Sequence, residues 1–185
     1  MKKTSFRPFL AALLLATPLL ATSCKNDDDN PTPDDENELI TTVRYTLTPA
    51  GGGTPLTVEY KDLDGAGGNA PTIGNLTLTA NTTYTGALTF LDESKNPAGD
   101  ITAEVNAEND EHLIVYVPTP ANLVTVTRTD RDRNNLEVGL ATRLVTTTAA
   151  NGTLKITLRH QPGTKTGQPE PGSTDAEVTF PVTVR

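Results

Sequence analysis

From Leu39 to the C-terminus the chain repeats one pattern, with apolar residues at every second position and Thr or a charged residue between them. Val43-Arg44-Tyr45-Thr46-Leu47, Leu56-Thr57-Val58-Glu59-Tyr60 and Leu76-Thr77-Leu78 follow it, as do Leu154 to Arg159 and Val178 to Val184. A period of two sends successive side chains to opposite faces, so each run reads as an antiparallel strand with one face in a core and one in water. Thr strengthens the reading, because a β-branched side chain suits the solvated face of a strand and lowers helix propensity.

With Tyr84–Leu91, His112–Val117, Leu123–Thr129 and Leu140–Thr147 the runs number about nine. That number suits two packed sheets, and the expected fold is all-β: an Ig-like antiparallel β-sandwich of about eight or nine strands over residues 39–185. Ala50-Gly51-Gly52-Gly53, Asp64 to Asn69 and Asn151-Gly152 supply residues tolerant of positive φ where hairpins reverse. His112 to Val117 is apolar on both faces, which places it centrally in a sheet. Pro181 has no amide hydrogen, so the last strand is expected at an edge or with a bulge there. Between Pro97 and Glu108 the period changes: Ile101 and Val105 share a helical face and Asp100 can cap it, predicting one short helix around residues 100–108.

The N-terminus has another logic. Met1-Lys2-Lys3 and Arg7 precede an apolar run of 12 residues, Phe9 to Leu20, then Ala21-Thr22-Ser23 and the single cysteine, Cys24. This is the three-part layout of a signal peptide, residues 1–23. A membrane-spanning helix needs roughly 20 apolar residues, so a signal is the better reading. A lone cysteine in an exported chain makes no internal disulfide. Leu20-Ala21-Thr22-Ser23-Cys24 resembles the bacterial lipobox, which implies that Cys24 carries the lipid; the alternative is a conventional cleavage that leaves a free thiol. Two or three acyl chains anchor a protein durably, since each buried methylene contributes about 0.8 kcal/mol.

Residues 24–38 form an acidic tether. After Cys24 the segment Lys25 to Glu38 holds seven acidic residues, two prolines and no apolar side chain, a composition that cannot form a core. Extended at about 3.1 Å per residue, it spans roughly 40 Å. Its start, Lys25-Asn26-Asp27-Asp28-Asp29, resembles the acidic export signal that follows the acylated cysteine in surface lipoproteins of the Bacteroidota. The wider chain is similar to a group of uncharacterised lipoproteins from those bacteria through residues 62–71, Asp110-Glu111-His112 and His160-Gln161-Pro162. The resemblance implies an outer-membrane lipoprotein facing the cell exterior, with a periplasmic orientation as the alternative.

Charge narrows the partners. Removing residues 1–23 takes away Lys2, Lys3 and Arg7 and no acid, moving the formal charge from −8 to −11. Such a surface repels phosphate, so nucleic acid is not an expected partner. Catalytic signatures are missing: the sequence holds no Gly-X-Ser-X-Gly elbow and no His-Glu-X-X-His helix, and a lipidated Cys24 offers no thiol.

His112 and His160 are the only histidines, and with Asp110 and Glu111 they are the candidate ligands of a divalent metal, set against ordinary strand-end histidines. Asp62-Leu63-Asp64-Gly65 starts like a calcium loop, but Ala66 and Ile73 occupy the later ligand positions, which favours a plain glycine-rich loop. Arg128, Arg131 and Arg133 alternate with Asp130 and Asp132 as in a solvated hairpin tip. Gln161 to Thr174, rich in Pro and Gly, reads as a mobile connection or a recognition loop.

The expectation is therefore a non-enzymatic, membrane-anchored lipoprotein that binds a ligand or partner through its loops, accessory to nutrient or metal uptake. Its partners would be the membrane, through the lipid on Cys24, and an outer-membrane transport protein. A structural or adhesive envelope module is the alternative.

Overall fold

The computed structural model describes residues 39–65 and 67–185. The signal sequence, Cys24 and the acidic positions Lys25, Asp27, Asp28 and Asp29 lie outside the described residues. Among the described residues, no helix is long and apolar enough to cross a membrane.

Among the described residues, eleven strands and one helix follow one another. They are β1 (Thr42–Pro49), β2 (Leu56–Lys61), β3 (Thr72–Ile73), β4 (Leu76–Leu78), β5 (Thr83–Asp92), β6 (Gly99–Asp100), α1 (Ile101–Ala107), β7 (His112–Thr119), β8 (Val124–Arg128), β9 (Ala141–Thr146), β10 (Ala150–His160) and β11 (Ser173–Val184). One sheet has the order β3-β2-β1-β5-β9-β8, with β6 added beside β5; the other has the order β4-β11-β10-β7. The expected all-β sandwich is what the chain forms. Each of the nine runs read from periodicity is a strand, and β3 and β6, two residues each, are too short to show a period. The pairing is antiparallel except where β4 joins Val182–Val184 of β11 in parallel.

The two sheets meet through the apolar face of each alternation. Val43, Tyr45 and Leu47 of β1 and Tyr84, Leu88 and Phe90 of β5 face Leu154, Ile156 and Leu158 of β10 and Val178, Phe180, Val182 and Val184 of β11 in one core. Burying a side chain of this size contributes about 1.5–3 kcal/mol. The Tyr45 ring packs at a tilt against Tyr116 of the opposite sheet, centroids 5.8 Å apart, and its hydroxyl lies 2.7 Å from Thr142 Oγ1. Burial pushes the Tyr45 phenol up to about 12, and the Thr142 bond only partly offsets that. Gly86 makes the contact possible, since a Cβ there would lie 2.3 Å from Thr142 Oγ1 and 2.7 Å from the Tyr45 hydroxyl.

The short helix lies where the period changed. The Asp100 carboxylate accepts from Ala103 N at 3.2 Å and caps it, while Ile101 and Val105 are buried. Thr102 Oγ1 exchanges hydrogen bonds with Phe90 N and O, pinning α1 to β5. The helix thus carries the chain from the larger sheet to the start of β7.

Three local expectations are corrected. β7 is an edge strand of the four-stranded sheet and not a central one. Its free edge is covered at Ile114, which donates to Val138 O at 2.7 Å and accepts from Arg128 Nη1 at 3.0 Å, while the second face is buried at Leu113 and open to solvent at Val117. Asn151-Gly152 is not a turn but part of β10, paired with Thr183 and Val182. Glycine is required at 152 because a Cβ would stand 2.1 Å from Thr119 O. Pro181 sits one residue before the pairing with β4 begins, so on that side it has no strand to donate to, and the bulge between β10 and β11 falls instead at Leu158/Arg159.

Candidate functional site

The register of β7 and β10 brings the two histidines together. His112 opens β7, His160 closes β10, and they are directly paired across the strands. Directly opposed residues share a face, so both imidazoles project from the same side of the sheet. Their rings stack with centroids 4.8 Å apart and planes 6° from parallel. His112 is buried and His160 is partly open to solvent.

Their hydrogen bonds define the chemistry. His112 Nδ1 lies 3.1 Å from the backbone carbonyl of Glu108, the C-cap residue of α1. A carbonyl only accepts, so Nδ1 carries the proton and Nε2 holds the lone pair of the neutral ring. That Nε2 is 3.7 Å from Asp175 Oδ2, and His160 Nε2 is 3.7 Å from Glu111 Oε2. Burial holds the pKa of His112 below its ordinary value, and the neighbouring His160 adds to this; the Glu108 carbonyl and Asp175 work the other way. The unfolded chain therefore takes up this proton more readily than the folded one. The stability that the neutral ring contributes is full above the ordinary histidine value, about 6.5, and is lost as pH falls through the folded value.

Glu108, His112 and His160 each offer one ligand atom, all within 4.8 Å of one another. Of the four ligands expected from the sequence, the two histidines meet and Glu111 stands beside His160. Asp110 does not join them, because it pairs with Arg133. Sequence reasoning missed Glu108 and Asp175. The first had a signal in its spacing, four residues before His112 across the end of a predicted helix. Asp175 had none: the register passes from Leu158↔Ala176 to Arg159↔Thr174, so Asp175 is the extra residue of a β-bulge. Bulges re-aim side chains, and this one turns a carboxylate toward His112. Asp175 also lines a groove of about 270 Å³ bordered by Leu39, Tyr60, Asp62 and Glu177.

Around the pair, two loops expected to be loose are tied down. Asp132, read as part of a solvated tip, is fully buried in its side chain and pairs with Lys165 Nζ at 2.8 Å. The same ammonium donates to Asn109 O at 2.7 Å, which links both loops to the chain entering β7. The connection from Gln161 to Thr174 is pinned. Arg159 donates to Pro169 O, Glu170, Gly172 O and Thr174 Oγ1, and the buried Gln161 amide donates to Gln168 O and Pro171 O. Arg128 is engaged too, through Glu137 at 2.8 Å. Buried charges persist only when paired and hydrogen-bonded, which is the physical reason these loops adopt one arrangement.

Asp62 and Asp64 behave as a plain loop. Asp62 accepts from Gly65 N at 3.0 Å, and Asp64 accepts from Asn69 N and Nδ2 at 2.9 and 2.6 Å. Positive φ at Gly65 and Gly67 turns the chain. No protein-family model, no curated protein and no solved structure matches this chain.

Proposed function

We propose that the protein is a non-enzymatic lipoprotein, anchored in the outer membrane through Cys24 and facing the cell exterior, that binds a ligand or partner through the loops beside the histidine pair. The observation that carries the reading is the bracing of those loops by the buried Asp132–Lys165 pair. A surface already held in one conformation loses less entropy on binding than a mobile one. The lipobox-like Leu20 to Cys24 and the acidic start of the tether support the placement. A role accessory to nutrient or metal uptake, beside an outer-membrane transport protein, accords with that placement.

Protease added to intact cells tests it. The wild-type domain is expected to be digested, and a variant with Asp27, Asp28 and Asp29 replaced by Ala is expected to survive. Survival of both would put the domain inside the envelope and overturn the external placement. Normal growth of a deletion strain under metal, haem and glycan limitation would remove the uptake role.

A further inference from the structure

We infer that His112 and His160, with Glu108, form a binding site for a borderline divalent transition metal such as Zn²⁺ or Cu²⁺. This rests on the binding reading above and names its ligand.

The donor set decides the class of ion. Two imidazoles and a carboxylate suit Zn²⁺, Cu²⁺ or Ni²⁺, whereas Ca²⁺ and Mg²⁺ take oxygen ligands. Direct cross-strand pairing is a rigid way of presenting two imidazoles on one face, because the ladder sets the distance between their Cβ atoms. The Nδ1–H bond to the Glu108 carbonyl is the outer contact that metal-binding histidines need, since it orients the ring and leaves Nε2 for the metal. Asp175, 3.7 Å from that Nε2, and Glu111, 3.7 Å from His160 Nε2, place negative charge around the position. Lys165, which reaches Asn109 O on the chain entering β7, has its charge offset by Asp132.

Binding requires a small rearrangement. Metal–ligand bonds of 2.0–2.2 Å put tetrahedral ligand atoms roughly 3.3 Å apart, so atoms now within 4.8 Å must close up and the rings must leave their parallel stack. His160 is the more exposed ring and has no backbone bond of the kind that holds His112, so side-chain rotation at His160 supplies the movement. The strands need not shift.

Calorimetric titration of Zn²⁺ into the full chain carrying Cys24→Ser, which keeps any thiol out of the measurement, tests the site. One Zn²⁺ per chain is expected. Affinity should fall by about 10- to 100-fold in His160→Gln, by about tenfold in Glu108→Gln, and beyond detection in His112→Gln/His160→Gln. Circular dichroism in chelator reports whether each variant folds. If the double variant does not, the ring ¹⁵N resonances of the wild type decide: both histidines are expected to shift on adding Zn²⁺. A wild type that takes up no Zn²⁺, unshifted rings, or equal uptake by a folded double variant would each overturn the site. The reading above fails separately. A chain that binds Zn²⁺ but is protected from external protease keeps the site and loses the placement, while a displayed chain without Zn²⁺ uptake loses the site alone.

Discussion

Two loops of this molecule begin with the same chemical sentence, Asp-X-Asp, and use it in opposite ways. In Asp62-Leu63-Asp64 the carboxylates bond within five residues, Asp62 to Gly65 N and the Tyr60 hydroxyl and Asp64 to Asn69, and Asp64 is exposed. In Asp130-Arg131-Asp132 they make local bonds and also reach distant chain. Asp130 accepts from Gly139 N and Leu140 N, both at 2.8 Å, and Asp132 takes Asn134 N, Leu136 N and the ammonium of Lys165. For Asp64 and Asp132 the difference is burial, whereas Asp62 and Asp130 are both half-buried. A carboxylate facing water can exchange its partners for solvent at little cost, while a buried one must find every partner within the protein. The second loop therefore shapes the region beside the histidines, and the first shapes only itself.

The largest expected effect separates the two loops on stability. Asp132→Ala leaves the Lys165 ammonium buried without its partner and should cost about 3–5 kcal/mol in chemical denaturation. Adding Lys165→Met to it should recover part of the loss, because no charge then remains unpaired. The same residue leaves a mark in acid. Burial works to raise the Asp132 pKa, but the bond to Lys165 and the amides of Leu136 and Asn134 outweigh it and hold the value below the ordinary range. A depressed carboxyl contributes stability above its unfolded value, about 3.9, and loses it as pH falls through the folded value. Asp132→Asn should flatten that part of the acid denaturation curve.

A smaller effect is expected at Asp130. Its removal leaves the amides of Gly139 and Leu140 without acceptors, which should cost about 1–3 kcal/mol. Hydrogen exchange at those two amides should rise more than elsewhere in the domain. The smallest belongs to the first loop. Asp64→Ala should leave the midpoint of chemical denaturation nearly unchanged, because water replaces the lost partner. Added Ca²⁺ should leave the melting temperature of the wild type unchanged; a rise abolished by Asp64→Ala would make this loop a cation site and break the contrast.

Much of the fold was legible before any coordinates. Alternation at Val43, Tyr45 and Leu47 or at Val178, Phe180 and Val182 is a direct record of which face is buried, since the period of a strand admits little else. The capped helix was legible for the same reason, with Asp100 before Ile101 and Val105. The position of β7 was not. An apolar second face does not say how much of it is buried, here Leu113 but not Val117, and sequence cannot distinguish a neighbouring strand from the cover that Val138 and the end of β8 at Arg128 give the edge. Asn151-Gly152 misled in a related way, because glycine serves both a turn and a close approach, here that of Thr119 O.

The candidate site divides along the same line. The sequence by itself determined that two histidines stand at strand ends with acids nearby, because strand limits and residue types are local properties. Only the tertiary structure decided that His112 and His160 stack, that Glu108 and not Asp110 approaches them, and that a bulge brings Asp175 to His112. Register is the physical reason: it is set by the packing of β7, β10 and β11 as a sheet, and a slip of one residue would have turned the two imidazoles to opposite faces.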